Sequence, residues 1–130
     1  MDDDTTDSFL GKSRHIGVWI DATPDAVYAL ASDPAELPRW AAGLADPSLS
    51  DAVVDFAPQN DLGVLDHVVR LPSGEAVYNP MRVIPGGPGE TGCEVVFTLR
   101  RRPGVTDVEF EADAAAVAAD LETLRGLLED

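Results

Sequence analysis

A chain of 130 residues has room for one ordinary domain and a single hydrophobic core. Its 24 acidic side chains against 9 basic ones give a formal net charge of -15. That balance argues against nucleic acid and anionic membranes as partners, because both are held by clustered Lys and Arg. Here Lys12 is the single lysine and Arg100-Arg101-Arg102 the one basic run, which reads as a solvated strand end. One cysteine, Cys93, and two histidines exclude an intramolecular disulfide and a Cys/His metal site. With no apolar run of about 18 residues and no basic leader, the expectation is a soluble cytoplasmic protein without metal or cofactor.

In chain order, residues 1–12 contain DDDTTD and read as a disordered acidic leader, leaving 13–130 as one domain. From Arg14, the apolar residues Ile16, Val18 and Ile20 alternate with His15, Gly17 and Trp19, the period of a strand with one face in the core. Thr23-Pro24-Asp25 then supplies an N-cap, a proline at the first helical position and an acid in the first turn. Val27, Leu30 and Ala31 continue that helix. Asp33-Pro34 repeats the start signal, predicting a second short helix that carries Leu37, Trp40 and Leu44.

Beyond Asp51 the period changes to two. Val54 and Phe56 mark a short strand, and Leu62–Leu71, Glu75–Pro85 and Cys93–Arg102 are three longer alternating runs. Pro72-Ser73-Gly74 predicts a tight hairpin between the first two of these, and Pro85-Gly86-Gly87-Pro88-Gly89 a loop, so the sheet should be antiparallel with five strands in all. A three-residue hairpin loop at Ser73–Glu75 sets His67 opposite Met81, Val69 opposite Asn79 and Asp66 opposite Arg82; a loop of two or four residues pairs Asp66 with Met81 instead.

The last element is a helix of about six turns. Thr106-Asp107-Val108-Glu109 is a capping box, followed by Phe110, Ala114, Val117, Leu121, Leu124 and Leu128 at steps of four and three. Glu109, Glu111, Asp113, Asp120 and Glu122 fall off that stripe, which should lie across the sheet. A coiled-coil partner, as in a homodimer, is the competing use.

The opening HIGVWIDATPDAVYALASDPAELPRW is similar to the start of polyketide cyclase/dehydrase-like members of the START-like (SRPBCC) superfamily. NDLGVLDH, NPMRVIP and EVVFTLRRRPG resemble one bacterial branch of the same superfamily, and together these segments cover most of residues 14–130. The resemblance implies an α+β helix-grip fold, a curved antiparallel sheet of five to six strands wrapped round a long C-terminal helix, with two short helices after strand one. The superfamily usually has six or seven strands. Between Leu44 and Val53 this chain has room only for a loop, so a shortened sheet and a smaller or more open cavity are expected.

What the resemblance implies for function is a hydrophobic or aromatic small-molecule ligand held between sheet and helix, in a site mostly apolar with a few placed polar groups. The candidate lining is Trp40, Leu65, His67, Asn79, Met81, Phe97, Val117 and Leu121. Leu65, His67, Val69 and Leu71 are more apolar than the alternating set Val64, Asp66, Val68 and Arg70, which places the first set inward. Asp66 and His67 then point to opposite faces of one strand and cannot form an acid-histidine pair without a bulge. Asp66 is instead expected to pair with Arg82 or Arg70. Cys93 has no adjacent base that would make it a nucleophile. Two further functions stand beside ligand binding: a cyclase or dehydratase in which His67 is the catalytic acid/base, and an interaction module that lacks a cavity and binds through exposed strand edges.

Overall fold

The computed structural model describes residues 13–41 and 51–129; the acidic leader, Leu44 and most of the segment expected to be a loop before the second strand lie outside the described residues. Strand β1 (Ser13–Ile20) is followed by helix α1 (Pro24–Ala31), capped where Thr23 Oγ1 accepts from the amide of Ala26 at 3.2 Å. Asp33 repeats the device, its carboxylate accepting from the Ala35 amide at 3.0 Å. The second helix is much shorter than its sequence pattern predicts. It is a 3-10 turn, Pro34–Glu36, running into one α-turn, α2 (Leu37–Trp40), with Pro38 among its first residues, where its missing N–H does least harm.

The remaining chain forms strands β2 (Val53–Phe56), β3 (His67–Arg70), β4 (Ala76–Asn79), β5 (Met81–Pro85) and β6 (Cys93–Arg100), then helix α3 (Asp107–Glu129). The capping box forms as read: the Glu109 amide donates to Thr106 Oγ1 at 3.1 Å and the Thr106 amide to Glu109 Oε1 at 2.9 Å. Phe110, Ala114, Leu121 and Leu124 of α3 are buried within the chain's own core, so the apolar stripe is spent on its own sheet. Arg101 holds the approach to this helix by donating to the Val105 carbonyl and to Asp107.

Among the described residues there are six strands, within the five to six expected; the sixth arises because the run Glu75–Pro85, read as one strand, is two. All pairings are antiparallel, in the orders β1-β6-β5 and β2-β3-β4. The break falls at Pro80, which has no N–H to give to a ladder. Opposite it, the Asp66 carbonyl accepts from Ala57 beside β2 instead, and the Pro80 carbonyl accepts from Thr98 in β6, both at 2.8 Å. The pairing nevertheless keeps one register on both sides of the break. Leu71 bonds Glu75, His67 faces Asn79, Leu65 donates to the Met81 carbonyl, Val64 bridges Arg82, and Gly63 accepts from Val83.

This register corrects the hairpin. The loop is Pro72–Gly74, not Ser73–Glu75, so Asn79 rather than Met81 faces His67, and Val77 rather than Asn79 faces Val69. Gly74 has φ 94°, a conformation that glycine adopts without a Cβ penalty, and this closes the loop one residue earlier. Both shifts preserve the alternation of faces, so the inward set on β3 is unchanged: Leu65 and His67 are buried, and Arg70 is exposed.

Candidate functional site

The stretch NDLGVLDH is wired by two side chains. Asn60 Oδ1 accepts from the amides of Leu62 and Val64 at 2.9 and 3.1 Å, while its Nδ2 donates to the carbonyls of Pro58 and Val64 at 2.9 and 3.0 Å. Its own amide donates to the hydroxyl of Tyr28 at 3.1 Å, tying the turn to α1. Gly63 follows with φ 73°, and a Cβ there would sit 2.3 Å from the Val83 carbonyl oxygen. This position requires glycine twice over.

Asp66 is the second anchor. Its carboxylate accepts from Arg82 Nε at 3.1 Å and Nη2 at 2.9 Å, from the Met81 amide at 2.9 Å and from the Tyr78 hydroxyl at 2.8 Å. Arg82 lies diagonally across rather than directly opposite, and one carboxylate thereby holds β4 and β5 on either side of Pro80. The bonds from Arg82, then those from Met81 and Tyr78, lower the carboxyl to about 2 against the opposing effect of partial burial.

On the other face, His67 stands between aromatic rings, with Phe56 at a centroid distance of 5.2 Å and Phe97 edge-on at 5.8 Å. Its Nδ1 lies 2.9 Å from the Leu65 carbonyl oxygen. Burial pushes its pKa below the ordinary 6.5, outweighing the Leu65 bond and the neighbouring Asp66 charge, which raise it. The adjacent acid and histidine are therefore two separate structures on one strand.

His67 lines a hollow of about 380 Å³ between β2-β3-β4, the inner end of β6, α2 and α3. Trp40, Asn79, Phe97, Val117 and Leu121 share its walls with His67, so six of the eight residues proposed from sequence meet there. Leu65 and Met81 do not. They lie beyond the Asp66–Pro80 break, where the interior is packed shut, and both are fully buried. The walls also include Leu37, Val54, Val69, Leu71, Val77 and Leu99. Val69 and Val77 were readable as inward by their period-two spacing from His67 and Asn79. Arg102, Asp113 and Asp120 line the hollow too, although α3's acids were expected away from the sheet; a helix face has no sharp edge, and a wide cavity reaches the flank of the stripe. Arg102 is ion-paired with Glu75 at 2.9 Å.

A larger hollow of about 780 Å³ lies outside, between α1 and the turn at Gln59–Gly63. We assign it no ligand, because Asn60 and Tyr28 in its wall are occupied by each other and by backbone. Among the described residues no His/Cys/Asp/Glu group is placed to hold a metal ion, and no helix is long and apolar enough to cross a membrane. Cys93 is buried, its Sγ 3.6 Å from the Ala22 carbonyl oxygen, and desolvation pushes its thiol pKa up.

No protein-family model matches the chain, and no curated protein matches it. Solved structures do. A START superfamily protein from Mycobacterium smegmatis aligns at a TM-score of 0.58 with 14% identity, covering 92% of this chain and 98% of that one. The protein XoxI from Bacillus cereus aligns at 0.54 with 14% identity, covering 92% and 96%. An uncharacterized protein from Bacillus thuringiensis aligns at 0.53 with 14% identity, covering 91% and 99%. With its antiparallel strands, its short helices after β1 and its long C-terminal helix laid on the sheet, the chain has the START-like helix-grip fold.

Proposed function

We propose that this protein binds a hydrophobic or aromatic small molecule in the hollow between the sheet and α3. The observation that carries the reading is the composition of its wall: inside a rim that carries Arg102, Asp113 and Asp120, aliphatic and aromatic side chains surround two buried polar ones, His67 and Asn79, which face each other across β3 and β4. Small-molecule sites have that make-up, and about 380 Å³ is at the lower end of their usual range of roughly 300–1,000 Å³. Apolar burial supplies the affinity and the polar pair orients the ligand. Mass spectrometry of compounds released on denaturing the purified protein, with thermal shifts across a panel of aromatic ligands, tests it. A released apolar compound, or a ligand that raises Tm in the wild type and less in Val117→Trp, supports binding. No released compound and no shift across the panel sinks it.

One observation favours a second reading. A neutral imidazole in an apolar wall is a competent general base, so His67 could promote enolisation and ring closure of a bound polyketone, as in a cyclase or dehydratase. Turnover that His67→Gln abolishes while leaving ligand affinity intact would establish it.

A further inference from the structure

His67 fixes the charge and polarity of what the hollow can hold. A carbonyl oxygen only accepts hydrogen bonds, so the ring nitrogen 2.9 Å from Leu65 O must carry the hydrogen, and Nδ1 is the donor. The ring is wedged between Phe56 and Phe97, which locks this orientation. In the neutral imidazole the other nitrogen, Nε2, is then a lone-pair acceptor with no hydrogen to give. It cannot bind a carboxylate. The rim is equally unwelcoming to anions, since Asp113 stands on the α3 side and the guanidinium of Arg102 is paired with Glu75.

Trp40 also lines the hollow, but its indole N–H is fully buried without an acceptor among the described residues and is closed to an occupant; the amide of Asn79, opposite His67, carries donors in this wall. The wall thus sets the His67 acceptor beside the Asn79 amide among apolar side chains.

Building on the ligand-binding reading above, we propose that the occupant is an uncharged, ring-bearing compound with a hydroxyl group that donates to His67 Nε2. A carboxylate meets no hydrogen on Nε2 and an acid at the rim, and binds less well.

The test is calorimetric titration at pH 7.5 with four probes on one ring skeleton: 2-naphthol, 2-methoxynaphthalene, naphthalene and 2-naphthoate. The wild type should bind 2-naphthol about tenfold more tightly than its methyl ether, the cost of leaving a buried acceptor unmatched. It should bind 2-naphthoate more weakly than naphthalene. In His67→Leu the naphthol preference should vanish while the affinity for naphthalene persists. If 2-naphthol and its ether bind alike, or 2-naphthoate binds as well as 2-naphthol, this proposal fails and ligand binding stands. If no probe binds the wild type, the binding reading fails with it. The wild-type comparison decides the matter even if His67→Leu does not fold.

Discussion

Asp66 and Arg82 meet through two hydrogen bonds, from Nε at 3.1 Å and Nη2 at 2.9 Å, across the point where Pro80 interrupts the sheet. The pair is not an ordinary surface ion pair, because the Asp66 side chain is only 14% exposed and also accepts from Met81 and Tyr78. What a ladder hydrogen bond cannot do at a proline, the carboxylate does from the side.

Replacing Asp66 with Asn should therefore destabilise the fold by roughly 2 kcal/mol at neutral pH, the free-energy equivalent of its lowered pKa. The pH dependence has a definite sign. The folded-state value of about 2 lies below that of an unfolded aspartate, so the contribution is complete above about pH 4 and disappears as pH falls towards 2. Urea denaturation of wild type and Asp66→Asn from pH 7 to pH 2 should give curves that stay apart down to about pH 4 and then converge. Parallel curves throughout would mean that the carboxylate's charge is not what stabilises the corner.

His67 predicts a second pH effect in a different window. Its pKa is lowered in the folded state, so its neutral form is favoured there; stability is retained above the ordinary value of 6.5 and lost as pH falls below it. The groups around it are Asp66 on its own strand, Phe56, Asn79 and Phe97 on the neighbouring strands, and Asp113 and Asp120 on α3 with Arg102 at the rim. Wild type should lose stability relative to His67→Phe between pH 7 and pH 5. Imidazole nitrogen shifts at pH 7.5 should show a protonated Nδ1 and an unprotonated Nε2; the opposite tautomer would contradict the Leu65 bond.

The turn at Asn60 is the most exacting local structure in the chain. Asn60→Ala removes the four bonds its side chain makes to Pro58, Leu62 and Val64, and should cost about 1–3 kcal/mol. Gly63→Ala forces a Cβ into a positive φ against the Val83 carbonyl and should cost roughly 2–4 kcal/mol. Chemical denaturation measures both. A cost below that of a typical surface substitution at either site would show that the turn relaxes without loss.

How far the sequence discloses this arrangement depends on the length scale of each rule. Capping at Thr23, Asp33 and Thr106, the α3 stripe and the inward facing of His67 rest on patterns of three to seven residues, and the structure has each of them. The hairpin register rests on one loop residue, and that choice shifted His67 from Met81 to Asn79. The division of Glu75–Pro85 was legible in principle, since Pro80 cannot donate in a central strand, but alternation on both sides of it reads as one run. Asn60 as a turn organiser was half hidden: its bonds to Pro58, Leu62 and Val64 are local, but the one to Tyr28 forms only in the fold. Asp113 and Asp120 at the rim were hidden because heptad spacing separates buried from exposed positions and says nothing of a cavity along the boundary.

Cys93 offers a probe of the whole. Its thiol is fully buried at the start of β6, beside the Ala22 carbonyl, and desolvation holds its pKa above the ordinary value, so little reactive thiolate exists in the native state. Reaction with a disulfide reagent such as dithionitrobenzoate should therefore proceed only through opening of the fold. Under conditions where reclosing is fast, its rate should follow the population of the open state, rising by the factor that Gly63→Ala or Asp66→Asn adds to the unfolding equilibrium. A ligand of the hollow should slow it by the stabilisation that binding confers. Fast labelling of the native wild type, unchanged by either variant, would instead place Cys93 on a locally mobile edge and separate it from the core that Asp66 and Gly63 maintain.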